Sequence, residues 1–252
     1  MPNWVTNIIH MRGKQEAIDR VLDAIRNKET GEPMDFCRLI PMPEELMVEC
    51  GTTTEFALSA YLSAVNENNP HNDEWKYPKM PESLFGATVS ALESVCACGM
   101  RISDFRTDLS PSDSKYGKAA KELVELGKQY ADNYFHYGHL TWYDYCLDKW
   151  GTKWNAQYQH QCDTGTGAWE VSFDTAWSPP IPIFDELVFR FPEVQFEIHW
   201  ADEDLGSNTG YAEGVDGVLK TVWYTDLTRA AYEHACSLFG TTPEEEGIKI
   251  KD

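Results

Sequence analysis

Val5, Ile9 and Met11 alternate with Thr6 and His10 at the start of the chain, a pattern that predicts a strand, and Trp4 and Ile8 predict partial cover on its other face. Gly13 ends this strand. Ala17, Ile18, Val21, Leu22 and Ile25 then recur at helical spacing, with charged residues on the opposite side. The apolar run from Met34 to Ile40 reads as a second strand, broken by Pro41 and Pro43. A β-α-β unit with a crossover of that length implies parallel strands.

The middle of the chain reads as helical. Phe56, Ala57, Leu58, Tyr61, Leu62 and Val65 follow Thr54, and Leu84, Val89, Leu92 and Val95 follow a polar, proline-bearing loop over 66–81. A third helix has its start signal at 112–114 and carries Ala119, Ala120, Leu123, Gly127, Tyr130 and Tyr134. Beyond it, strict alternation returns. Trp169, Val171, Phe173, Thr175 and Trp177 form the apolar face of one strand, which Ser178-Pro-Pro stops; Val194, Phe196, Ile198 and Trp200 form that of another. Pro182 opens a helix between them. Asp216-Gly217 joins two β-rich runs as a hairpin, and a last helix runs from about Asp226 to Phe239, with Gly240 at its end.

These elements predict an α+β protein in which ferredoxin-like β-α-β units from both chain ends share a sheet, with a helical insertion between them. The segments are 1–43, an N-terminal β-α-β unit; 44–150, the insertion; 151–240, a C-terminal ferredoxin-like part; and 241–252, a tail. Together they are expected to make one compact domain. A hydrophobic content of 42% over 252 residues suffices for a sizeable core. No apolar run reaches the length of a membrane span, and the N-terminus lacks the features of a signal peptide, so a cytoplasmic protein without membrane contact is expected.

Charge sharpens the picture. The net charge of −20 divides as −4 over residues 1–60, −3 over 61–160 and −13 over 161–252. An acidic C-terminal third repels phosphate and disfavours direct nucleic-acid binding, but suits docking onto a basic surface. Asp202, Glu203, Asp204, Glu213 and Asp216 are the candidate partner-binding residues. The seven cysteines are scattered without finger or cluster spacing, so neither a metal nor another cofactor is expected.

Residues 149–158, KWGTKWNAQY, raise a specific question. Trp150 and Trp154 could clamp a ligand, with Lys153 and Asn155 supplying a cation and an amide, or both indoles could pack on the sheet. Trp177 divides the same way: it continues a buried strand face, yet it joins Trp150, Lys153, Trp154 and Asn155 as a candidate ligand-binding residue. Catalytic signals are weaker. Ser112 and Lys115 match a bare S-x-x-K spacing without companion motifs, and no phosphate loop, dinucleotide fingerprint or nucleophile elbow occurs, so no catalytic residue is assigned. His199 and Glu197 share a strand face and could pair with Asp174 or Glu170 across the sheet; a solvated polar face has the same pattern.

The motifs PNWVTNIIHMRG, DFCRLIPMPEEL, WGTKWNA, FDTAWSPPIP and FPEVQF, in this order, resemble the YubB ferredoxin-like family of conjugative plasmids and tailed phages. The resemblance implies a sheet-and-helix fold, not an iron–sulfur cofactor, and an accessory gene of a mobile element. It supplies no reaction. The function expected on these grounds is a non-enzymatic phage or plasmid protein that binds a host factor, in an anti-defence role, through its acidic C-terminal surface. The alternatives are a small-ligand protein that sequesters or turns over a nucleotide-like compound near WGTKWNA, and a structural component of a larger assembly.

Overall fold

The computed structural model describes residues 2–67 and 117–249. The helix expected around Leu84–Val95, the Cys96/Cys98 pair and the Ser112/Lys115 pair lie outside the described residues. Contacts divide the chain into two compact units, residues 1–42 with 146–252, and residues 43–145.

The first unit is built on a six-stranded sheet. Strand β1 (Trp4–Arg12) leads into helix α1 (Gln15–Ile25) and the short helix α2 (Phe36–Leu39). After the second unit come β2 (Gln157–Gly165), β3 (Ala168–Ala176), a helix over Ile181–Arg190, β4 (Gln195–Asp202), the β5 (Gly210–Val215) and β6 (Val218–Trp223) hairpin, and a helix over Arg229–Leu238. The strand order is β2-β3-β1-β4-β5-β6, with every neighbouring pair antiparallel. Because β1 and β2 both run against β3, they are parallel to each other with β3 between them. Likewise β3 and β4 are joined through a helix with β1 between them. These are two split β-α-β units sharing one antiparallel sheet, the ferredoxin-like arrangement.

The second strand of the N-terminal unit is therefore not 34–40. Asp35 accepts a hydrogen bond from the Cys37 N–H and so starts a helical turn, and Met34, Phe36 and Leu39 are buried at spacings that no flat strand gives. The missing strand arrives as β2, beyond the second unit.

One face of the sheet carries the core. Val5, Ile9, Met11, Val171, Phe173, Phe196, Ile198 and Trp200 are buried, each worth roughly 1.5–3 kcal/mol against exposure. Rings continue across this layer from Trp150 through Phe36, Phe173 and Phe184 to Trp200 and Trp223, with successive centroids 4.9–6.5 Å apart. Gly210 lies beneath Trp200, where a Cβ would stand 2.4 Å from the indole, so only glycine fits. The hairpin turn is as its sequence implies, with Asp216 at φ 51° and Gly217 at φ 78°.

The second unit holds α3 (Thr52–Glu67), α4 (Gly117–Tyr137) and the first half of α5 (Trp142–Lys149). Ala57, Leu58, Tyr61, Val124, Tyr130 and Ala131 form its described core. A Cβ on Gly127 would lie 1.9 Å from the Ala57 carbonyl oxygen, so this glycine sets the close approach of α3 and α4.

The helix at Ile181–Arg190, α6, buries Ile183, Phe184, Leu187 and Val188 on the core side. The last helix, α7 (Arg229–Leu238), packs on β4 and brings His234 against rings of the other sheet face: His199 at 5.1 Å, Tyr224 at 5.0 Å and Tyr211 at 6.3 Å between centroids. Burial, and then the nearby His199, hold the His234 imidazole below its ordinary pKa. A histidine kept neutral in the folded state favours folding above its unfolded pKa, and that contribution is lost as the pH falls through it. Stability followed by denaturant unfolding between about pH 7 and pH 5 is thus expected to fall more in the wild type than in His234→Phe. Parallel pH profiles would remove His234 from this role.

Candidate functional site

The stretch from Trp150 to Ala156 divides its residues between scaffold and surface. Trp150 is 3% exposed; its indole N–H donates to the Ile40 carbonyl at 3.0 Å, and its ring meets Phe36 edge-on. Gly151, at φ 77°, turns the chain, and the Ser178 hydroxyl donates to its carbonyl at 2.5 Å. Thr152 is fully buried and donates to the Ala176 carbonyl at 2.9 Å. The Asn155 side-chain oxygen accepts from the Phe36 N–H at 2.9 Å, and its amide donates to Asp35 at 2.7 Å. Trp150 and Asn155 are therefore not ligand-binding residues: one is core, and the other has its polar atoms committed to the start of α2.

Lys153 and Trp154 come out on the other side. Trp154 stands in a row with Trp177, at 5.9 Å between centroids, and Trp4, at 6.2 Å; Tyr158 meets Trp4 edge-on at 5.3 Å. The Lys153 ammonium lies over Trp154 at 4.7 Å and over Trp177 at 5.1 Å. Trp177 does not continue the buried strand face. The strand ends at Ala176, and Trp177 adopts φ 65° and is 46% exposed. Its N–H donates to the Asn3 carbonyl, and its own carbonyl accepts from the Asn208 amide, both at 2.9 Å.

Tyr158, 74% exposed, takes φ 48° within a register shift of β2 between Gln157 and His160. Left-handed backbone at bulky residues costs about 1–3 kcal/mol each and gathers where a surface has a task. Here it falls on two rings of one row.

Carboxylates surround that end of the sheet. The Glu203 N–H donates to the Trp4 carbonyl at 2.8 Å, which fixes the acidic loop beside the row. Glu203 and Asp204 are exposed, and neither forms an ion pair with another described residue. Asp202 is only 5% exposed and cannot be a contact residue. It folds the loop by accepting from the Asp204 N–H at 2.9 Å and the Asn208 amide at 3.4 Å. Burial raises its pKa, and the charges of Asp204 and Glu203 add to the rise. Asp174 accepts from the Thr6 hydroxyl at 2.8 Å and is raised by burial and by Glu203. Glu213 and Asp216 are exposed but belong to the β5–β6 hairpin, at the opposite end of the sheet; Glu213 pairs in register with Glu197, which pairs with His10, six residues along β1 from Trp4. At the strand rise this is about 20 Å away.

The expected cross-sheet acid–base set is rearranged. His199 meets Glu197 at 3.1 Å, while Glu170 pairs with His10 at 3.4 Å and Asp174 with Thr6. These are partly solvated pairs on one sheet face; the Cys162 thiol stands 4.0 Å from Glu170, and burial, with the charges of Glu170 and Asp163, raises its pKa. Among the described residues, no group of three or more His, Cys, Asp or Glu is arranged to hold a metal ion, and no helix is long and apolar enough to cross a membrane. The site members that sequence reasoning missed are Trp4, read there as partial cover, and Tyr158, which carries no periodic signal because it sits in an irregular strand.

Fold and surface together define an α+β protein of the ferredoxin-like type with an indole row and carboxylates at one end of its sheet. Residues 149–237 match the family model described as the ferredoxin-like domain in Api92-like protein. The crystal structure of protein Api92 from Yersinia pseudotuberculosis is similar at 12% identity and a TM-score of 0.41, over 89% of this chain and 99% of that one. No curated protein matches.

The two kinds of tryptophan respond differently to removal. Trp150→Ala is expected to cost about 3–5 kcal/mol of unfolding free energy, as a cavity-forming core change. Trp177→Gly is expected to stay within about 1 kcal/mol of wild type, because glycine accepts the left-handed backbone. Denaturant unfolding measures both, and equal costs would contradict the division.

Proposed function

We propose that this chain is a non-catalytic accessory protein that binds a basic surface of a host protein through the indole-and-carboxylate end of its sheet. The observation that carries this reading is the pairing of Glu203 and Asp204, exposed and without ion-pair partners among the described residues, with the exposed rings of Trp177 and Tyr158. Asp174 and Asp202, already pushed toward protonation by burial and by like charge, add negative potential at the same end. A cationic partner relieves that repulsion, and aromatic rings supply the contact area that anchors an interface. An anionic partner would worsen it, so nucleic acid is disfavoured.

The motif resemblance to the YubB family supports a phage or plasmid origin, and with it a cytoplasmic host target and an anti-defence role. A nucleotide-like ligand is supported less well, since two of its expected contacts, Trp150 and Asn155, are engaged with the scaffold.

The test is a tagged pull-down from host extract at low ionic strength. Wild type and Glu213→Gln/Asp216→Asn are expected to retain a stoichiometric basic partner that salt releases steeply, and Glu203→Gln/Asp204→Asn to lose it. Absence of any such partner, or equal retention by both double variants, would contradict the proposal.

A further inference from the structure

The indole row has a chemistry narrower than general docking. Lys153 is the internal cation of the row, seated over Trp154 and Trp177 at 4.7 and 5.1 Å. The two indoles are tilted by 39° and do not stack flat, so both present a face toward the same ammonium. Trp177 is nearly half exposed and therefore reachable from outside. The carboxylates of Glu203 and Asp174 lie close enough to each other to interact, and both belong to residues adjoining the row: Glu203 through its bond to the Trp4 backbone, and Asp174 opposite Gln157, beside Tyr158.

We infer that the row is a receptor for one arginine side chain of the partner, and that Lys153 occupies the cation position until that side chain displaces it. This deepens the proposed docking function and rests on it. A guanidinium satisfies both parts of the surface at once: its flat face stacks on indole while its N–H edge reaches a carboxylate. An ammonium is a compact point charge with no flat face to stack, so it satisfies the two parts less completely. Exchange of one cation for another preserves the local charge, so the site avoids the cost of exposing bare rings between binding events. Lys153 is then a built-in competitor that weakens affinity and sharpens selection.

The probes are Gly-Arg-Gly, Gly-Lys-Gly and Gly-citrulline-Gly amides, titrated into the full chain with tryptophan indole N–H signals read by NMR. Thermal melts confirm that each variant is folded. The expected result is saturable movement of the Trp154 and Trp177 signals with the arginine peptide, several-fold weaker binding of the lysine peptide, and none of the citrulline peptide. Lys153→Ala should bind the arginine peptide several-fold tighter than wild type, and Trp177→Gly should lose binding while staying folded. No saturable shift in either wild type or Lys153→Ala, or weaker binding by folded Lys153→Ala, overturns the inference. If a basic partner is captured and lost in Glu203→Gln/Asp204→Asn but unaffected by Lys153→Ala and Trp177→Gly, the arginine receptor fails while the docking function stands. If the peptide binds as expected but no basic partner exists, the receptor stands and the docking function fails.

Discussion

The hydrogen bond from the Thr152 hydroxyl to the Ala176 carbonyl ties the chain entering β2 to the chain leaving β3. With the Trp150 indole held by Ile40 on one side and the Asn155 amide held by Asp35 on the other, three fastenings act within six residues. The two residues between Thr152 and Asn155 have little freedom left: Lys153 and Trp154 must leave on the side away from the core. The same bond sets the end of β3, after which Trp177 turns through its left-handed backbone to stand beside Trp154. A surface feature is thus specified by buried polar bonds, whose geometry is costly to change because a buried carbonyl without a partner is penalised by about 1–3 kcal/mol.

Electrostatics at that end run against the usual economy of a folded surface. Asp202 is buried, and its charge is tolerated through bonds from Asp204 and Asn208, yet its neighbours in the chain are two further carboxylates. The Asn208 amide also holds the Trp177 carbonyl, so one asparagine couples the acidic loop to the exposed indole. Asn208 itself takes φ 47°, a conformation asparagine adopts more readily than most residues. Acid loop and aromatic row are consequently joined through Asn208.

Much of the fold was legible because alternation and helical spacing are strong in unit-length segments. β1, β3, β4, the Asp216-Gly217 turn and the last helix lie close to where the pattern puts them. The strand read at 34–40 went wrong because its apolar content resembles a strand, while the decision between strand and helical turn rests on Asp35 and on Asn155, about 120 positions away. β2 was hidden for a related reason: its residues, QYQHQCDTG, are mostly polar and its register is irregular, so no period marks it.

The site was legible in part. Lys153, Trp154 and Trp177 come together, and Trp150 and Asn155 do not, although all five have the composition of a binding loop. Nothing in periodicity separates a tryptophan under the sheet from one on top of it; hydrogen bonding to distant backbone does. Asp202 and Glu203 show the same limit, since adjacent carboxylates look alike in sequence while one folds the loop and the other faces outward.

Selective oxidation of tryptophan in the folded chain, mapped by mass spectrometry, addresses the division between scaffold and surface directly. Trp177 and Trp154 should react early, while Trp150 and Trp200 stay protected until the chain unfolds. Early modification of Trp150 at the rate of Trp177, or protection of Trp177, would show that the fastened segment does not deliver its indoles as described.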